Sequence, residues 1–261
     1  MYKLINKVKS ANPLVLNYTN GVTINDCANV ILALGASPLM SYSYEEVEEI
    51  VPLANVVVIN IRTMNSSNLE LFIKAGKAAN KYKVPVVLDP VGVFATKTRS
   101  DFTNKIINEV KFDVIKGNIA EIKYIGGFDV RGKGVDSFED EDNNEEIMKN
   151  IAKKLECVVA GTGKTDIITD GDQVIKIYNG TTKLKSVTGT GCMSTCLIGS
   201  FLACSDNKLQ SAAMGVLTMA LSGELADKDN IGIGSFKVKL MDNIYNLDED
   251  ALNKYGRVEI I

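Results

Sequence analysis

The chain has 261 residues, 46% hydrophobic and 23% charged, with a net charge of −3. That composition sustains a large buried core and excludes a disordered polyelectrolyte. The mild acidic balance excludes a general nucleic-acid or membrane-surface binder, which needs a basic face. Histidine is absent, so His triads, His general bases and His metal ligands are excluded. Proton chemistry falls to Asp, Glu, Cys, Lys or Tyr.

The N-terminal stretch MYKLINKVKS has no apolar run of signal length, and no segment approaches the ~18 apolar residues of a membrane span. A soluble, cytoplasmic protein is expected. The five cysteines, Cys27, Cys157, Cys192, Cys196 and Cys204, are odd in number and irregularly spaced. They read as reduced thiols, neither a disulfide framework nor a zinc site.

Short β-branched runs predict strands at 56–59, 84–88, 114–115 and 157–160, buried on both faces of a parallel sheet. Helical spacing predicts connections over 69–82, with Ser66 or Ser67 as N-cap, then over 102–110 and 147–155. The alternation predicts βαβ units with right-handed crossovers. The 166–177 segment reads as an antiparallel hairpin around Gly171. From Gly189 onward the chain reads as helical, through 203, over 209–225 and over 236–246. The stretch 126–146, with Gly127, Gly132, Gly134 and the acidic run 139–142, reads as an irregular, solvated loop. No repeat or linker divides the chain, so a single domain over 1–261 is expected.

The strongest local feature is Val187-Thr188-Gly189-Thr190-Gly191-Cys192, running into a helix. Two glycines admit a ligand close to the backbone, and a helix N-terminus directs free amides and its dipole there. Such a site suits the charge on a transferred phosphoryl group. For the turn alone, a tight bend without ligand is the more economical reading. Cys192, in the first helical turn, is expected to have a lowered pKa; it is either a base or a small buried residue, and the second reading is favoured. Lys116-Gly117-Asn118 with Glu121 is a capping box by spacing. It equally places polar groups at a strand's carboxyl end, where Mg²⁺ is held through water. Asp89, before Pro90, either opens a turn or stands at the same sheet edge as Asn118. Gly161-Thr162-Gly163-Lys164 lacks Walker A spacing; Thr162 either reaches a nucleotide phosphate or serves the turn before the hairpin.

Several stretches together carry a resemblance. They are Asn17-Tyr18-Thr19-Asn20, Thr23-Ile24-Asn25-Asp26-Cys27-Ala28-Asn29 and Leu34-Gly35-Ala36-Ser37-Pro38-Leu39-Met40, followed by Leu88-Asp89-Pro90-Val91-Gly92, Lys116-Gly117-Asn118, Gly134-Val135-Asp136-Ser137 and Gly189-Thr190-Gly191-Cys192. Over nearly the whole chain it resembles the hydroxyethylthiazole kinases of the ribokinase-like group. The resemblance implies an α/β fold with a central, mostly parallel sheet flanked by helices on both faces. It implies ATP-dependent phosphorylation of 4-methyl-5-(2-hydroxyethyl)thiazole, for thiamine biosynthesis and salvage. Matched residue by residue, it implies thiazole contacts at Met40, Gly189 and Asn25, and ATP contacts at Lys116 and Thr162. Asp89 and Glu121 match acidic residues near Mg²⁺. Thr190, Gly191 and Cys192 match the phosphoryl-transfer turn, with Cys192 where most ribokinase-like kinases carry an Asp base. A homotrimer with active sites between subunits is implied as well. Lys116 departs from a frequent Arg and Phe94 from a usual Gly. The runner-up readings are another ribokinase-like enzyme, such as a hydroxymethylpyrimidine kinase or an ADP-forming hydrate dehydratase, and a non-catalytic thiazole or nucleotide binder.

Overall fold

Where the sequence offers short apolar runs, the chain forms strands. The computed structural model describes residues 1–128, 143–229 and 231–261. Gly132, Gly134, Val135, Asp136, Ser137 and the acidic run 139–142 lie outside the described residues. Among the described residues there are nine strands: β1 (Leu14–Tyr18), β2 (Ser37–Met40), β3 (Val56–Asn60), β4 (Val86–Asp89), β5 (Val114–Asn118), β6 (Val158–Thr162), β7 (Asp166–Thr169), β8 (Val174–Ile177) and β9 (Val258–Ile260). They form one sheet in the order β2-β1-β3-β4-β5-β6-β7-β8-β9. The pairs from β2 through β6 are parallel, and those from β6 to β9 are antiparallel. The mostly parallel sheet and the β7–β8 hairpin match the expectation. Strands β1, β2 and β9 were not marked by any apolar run of the expected kind.

The helices are α1 (Leu4–Ala11), α2 (Ile24–Leu34), α3 (Val47–Ile50), α4 (Ser66–Tyr82), α5 (Lys97–Glu109), α6 (Ile119–Gly126), α7 (Asn144–Leu155), α8 (Thr190–Leu202), α9 (Lys208–Ala226), α10 (Ile233–Asn246) and α11 (Glu249–Tyr255). None among the described residues is long and apolar enough to cross a membrane. Strand side chains alternate between two cores, as the pleat requires. Val56 and Val58 join α1, α2, α8, α9, α10 and α11 on one face. Val57 and Ile59 join α3 to α7 on the other.

Local chemistry set the helix starts one turn earlier than periodicity alone. Asn65, rather than Ser66 or Ser67, caps α4, its side chain accepting from the Asn68 amide. Thr96 caps α5 in the same way through Arg99. Helix α7 begins at Asn144, inside the stretch expected to be irregular, and α6 ends at Gly126.

Candidate active site

The chain leaves β1 for β2 on one side and returns to β3 on the other. At such a reversal the carboxyl ends of the strands leave a crevice. Asn20, just beyond β1, is buried there. Its Oδ1 accepts from the amides of Val22 and Thr23, both at 3.1 Å, which turns the chain into α2. Its Nδ2 donates to Thr23 Oγ1 at 2.8 Å and Asn60 Oδ1 at 3.0 Å, and lies 3.7 Å from Cys192 Sγ. Asn60 ends β3 opposite Asp89 at the end of β4. Asp89 accepts from Thr195 Oγ1 of α8 at 2.7 Å.

Helix α8 brings its N-terminus to this cluster. Gly189 has φ +90°, and a Cβ there would stand 2.5 Å from Thr23 Cγ2. Both facts demand glycine. No side chain caps the helix. Among the described residues, nothing accepts from the amides of Thr190, Gly191 or Cys192. Three free amides at the positive end of a helix make an anion site. The Thr190 hydroxyl is engaged elsewhere, donating to the Leu184 carbonyl at 3.0 Å. Its amide, not its hydroxyl, is left for a ligand. Lys116 reaches up from β5, buried, and its Nζ donates to the Gly191 carbonyl at 3.0 Å.

Glu121 completes the capping box predicted from spacing. One carboxylate oxygen accepts from the Asn118 amide at 2.8 Å, the other from the Gly92 amide at 2.7 Å. It thereby ties the loop after β4 to the end of β5. Thr162, at the end of β6 opposite Asn118, donates to the Gly117 carbonyl at 3.3 Å.

Burial raises the carboxyl pKa of Asp89, opposed by the Lys116 charge and the Thr195 hydrogen bond. Burial and then the Asp89 charge raise that of Glu121. The thiol of Cys192 corrects an expectation: its pKa is raised, not lowered. Desolvation is the largest cause, followed by the charge of Asp89, and the lowering effects of the Lys116 charge and the Thr23 hydrogen bond do not cancel them. At neutral pH it is a neutral thiol, a poor base. All five cysteines are free thiols.

Asp89, Lys116, Glu121, Thr162 and the 189–192 turn therefore meet at adjoining strand ends, as the sequence suggested. Among the described residues no hydrogen bond links Met40 or Asn25 to these groups. Met40 ends the edge strand β2 and is half-buried; Asn25 is exposed on the first turn of α2, accepting from Asn29. Phe94 packs its ring against Tyr124 at 6.1 Å, so the bulk at that position is absorbed by α6.

A buried lysine and uncapped glycine-turn amides beside two carboxylates fit a phosphotransferase. The hydroxyethylthiazole kinase family profile matches residues 5–250. The chain belongs to the hydroxyethylthiazole kinase family. A hydroxyethylthiazole kinase of Clostridioides difficile is 64% identical over 261 residues, covering 100% of both chains. The solved structure of a hydroxyethylthiazole kinase protein from Pyrococcus horikoshii superposes with a TM-score of 0.92 at 37% identity, covering 100% of this chain and 98% of that one. A pyridoxal kinase from Staphylococcus aureus, at 13% identity and a TM-score of 0.63 over 95% of this chain and 98% of that one, shares the fold alone. The fold is thus ribokinase-like.

Four residues at or beside the site escaped sequence reasoning. Asn60 ends β3 as Asp89 ends β4, and Arg62 stands two residues on, so the rule that polar groups at successive strand ends matter would have found them. Thr195 carried no signal beyond helical spacing. Asp166 was absorbed into the hairpin. It is buried, accepts from the Gly163 amide at 2.9 Å, and so closes the turn that carries Thr162.

Proposed function

We propose that this chain transfers the terminal phosphoryl group of ATP to the hydroxyl of 4-methyl-5-(2-hydroxyethyl)thiazole, for thiamine biosynthesis and salvage. The new bond joins the hydroxyl oxygen to phosphorus, the bond from phosphorus to the bridging oxygen of ADP breaks, and the hydroxyl proton is released. The observation that carries the reading is the set of three unbonded amides at Thr190, Gly191 and Cys192, held by Lys116, in a member of this family. Positioning and charge stabilisation do most of the work in phosphoryl transfer. The substrate hydroxyl lies by Cys192, the thiazole by Gly189, Met40 and Asn25, and the nucleotide by Lys116 and Thr162.

Magnesium fits the acidic pair. Asp89 and Glu121 are both buried, burial raises the pKa of each, and the Asp89 charge raises that of Glu121 further, so the place favours a positive charge. Among the described residues no three acidic or thiol groups converge into a full cation cage. Mg²⁺ commonly takes one or two carboxylates and fills its shell with water and phosphate oxygens. When bound, the ion would neutralise charge on the phosphates. Asp89 and Glu121 would hold it, Glu121 while still accepting from Asn118 and Gly92.

The reading includes a homotrimer whose active sites lie between subunits, which would give Met40 and Asn25, peripheral in one chain, a place in a pocket. A cytoplasmic setting, where ATP is supplied, and a single working domain over 1–261 belong to it as well. The test is ADP formation by purified protein with ATP and Mg²⁺, with and without the hydroxyethylthiazole. ADP that appears only with the thiazole supports the proposal; equal ADP in both samples refutes it. In the same assay Cys192→Ala loses less than about 100-fold in turnover, below the ~10²–10⁴-fold that a removed general base costs.

A further inference from the structure

Arg62 has no role so far, yet its guanidinium stands in the crevice. Its Nη1 lies 4.0 Å from Cys192 Sγ, across 130 residues of sequence. Its charge also reaches Asp89, where it helps hold the carboxyl down against burial. Among the described residues Arg62 forms no ion pair with a carboxylate. Among the described residues its one side-chain hydrogen bond is to the Cys192 thiol, a weak acceptor, so most of the five guanidinium donors have no protein partner there.

The backbone beneath it is fixed with some care. The Arg62 amide donates to Asn60 Oδ1 at 3.0 Å, and Asn60 is itself held by Asn20. From α5, Arg99 donates to the Arg62 carbonyl at 2.5 Å, the Val91 carbonyl at 3.0 Å and the Ile61 carbonyl at 3.3 Å. One guanidinium thus clamps the loops after β3 and β4, and a second is left pointing at the transfer turn. Lys116 is committed to the Gly191 carbonyl from β5. Arg62 comes from β3, on the other side of Asp89. Two cations therefore flank the uncapped amides.

We propose that Arg62 is a further catalytic residue of the phosphoryl transfer, donating from its guanidinium to the equatorial oxygens of the group in flight. The proposal rests on the phosphotransferase reading above. In a loose transition state negative charge gathers on those three oxygens. A planar fork matches two of them at once, which a lysine does not. Arg62 only donates hydrogen bonds; the bonds that change are the new oxygen–phosphorus bond, the broken bond from phosphorus to the bridging oxygen of ADP, and the substrate O–H bond, whose proton is released.

The experiment measures kcat and both KM values for Arg62→Met, Arg62→Lys and Arg62→Ala beside the wild type, with melting curves. Arg62→Met is expected to lose about 100-fold in kcat, as for a removed oxyanion-type donor, with both KM values within roughly threefold. Arg62→Lys recovers part of the loss, and added guanidinium ion raises the turnover of Arg62→Ala. A kcat unchanged in Arg62→Met overturns the proposal. So does a raised KM for ATP at unchanged kcat, the sign of ground-state binding alone. Should Arg62→Met not fold, Arg62→Lys decides: a kcat equal to wild type overturns it, and a loss of at least about fivefold at constant KM supports it. Failure of the underlying reading is distinguishable, because it appears as thiazole-independent ADP in the unmutated protein.

Discussion

Asp166 is buried, and burial pushes its carboxyl up to about 7 from an ordinary 3.8. The Gly163 amide and the Lys116 charge oppose that rise without cancelling it. At low pH the group is protonated in the folded and unfolded chains alike and costs nothing. As pH rises the unfolded chain ionises first. Stability is therefore lost from just below pH 4 up to about pH 7, and the loss is complete above that window. A shift of that size corresponds to roughly 4 kcal/mol as an upper figure. Asp166→Asn keeps an oxygen for the Gly163 amide and removes the charge. Its melting temperature relative to wild type should climb between about pH 4 and about pH 7 and level off above. A difference that stays constant with pH would show the carboxyl to be ionised throughout. The same residue closes the turn bearing Thr162, so charge there is exchanged for order in a proposed nucleotide contact.

At the level of elements, the site depends on where α8 stands. The helix is buried from Cys192 to its end, between the sheet and α9. Glycines set both distances. A Cβ at Gly199 would meet Val58 Cγ2 of β3 at 2.7 Å. One at Gly215 of α9 would meet the Ile198 backbone nitrogen at 2.4 Å. A side chain can swing away, but a helix backbone cannot without moving the helix. Gly215→Ala should therefore cost about 3 kcal/mol and lower Tm by roughly 5–10 °C. It should also lower kcat, because α8 carries the free amides. Gly234→Ala in α10 has open space and a helical backbone, and should raise Tm slightly. Thermal melts of the two variants, side by side, check the argument; equal Tm values would refute it.

For the whole molecule, one face is unfinished. Val22 and Leu32, at the start and on the outer face of α2, are 54% and 56% exposed, and Val238 and Tyr245 of α10, packed beside α2, are 63% and 66% exposed. Next to them lies the unpaired edge of β2, ending at Met40. Apolar side chains grouped beside a sheet edge suit burial against another copy. The proposed trimer predicts a sedimenting mass near three times the 28.3 kDa of one chain. Leu32→Arg should dissociate it and reduce thiazole phosphorylation in parallel. A monomer with full activity would remove the shared-site proposal.

The strand runs, the β7–β8 hairpin, the Asn118–Glu121 capping box and the glycine turn before α8 were legible because each is written within a few adjacent residues. So was the family, in the stretches from Asn17 to Met40. The exclusion of histidine chemistry needed composition alone. Strands β1 and β2 were not legible, since their apolar content is broken by Asn17, Ser37 and Pro38 and only pairing in the sheet makes them strands. The crevice itself belongs to tertiary structure. Asn20 meets Asn60 across 40 residues and Cys192 across 172. Arg62 reaches the same thiol from β3. The thiol's pKa shows why local reading stops short. A helix N-terminus lowers it by rule, but the surrounding core withholds the water that would solvate a thiolate, and only the folded chain decides which effect is larger.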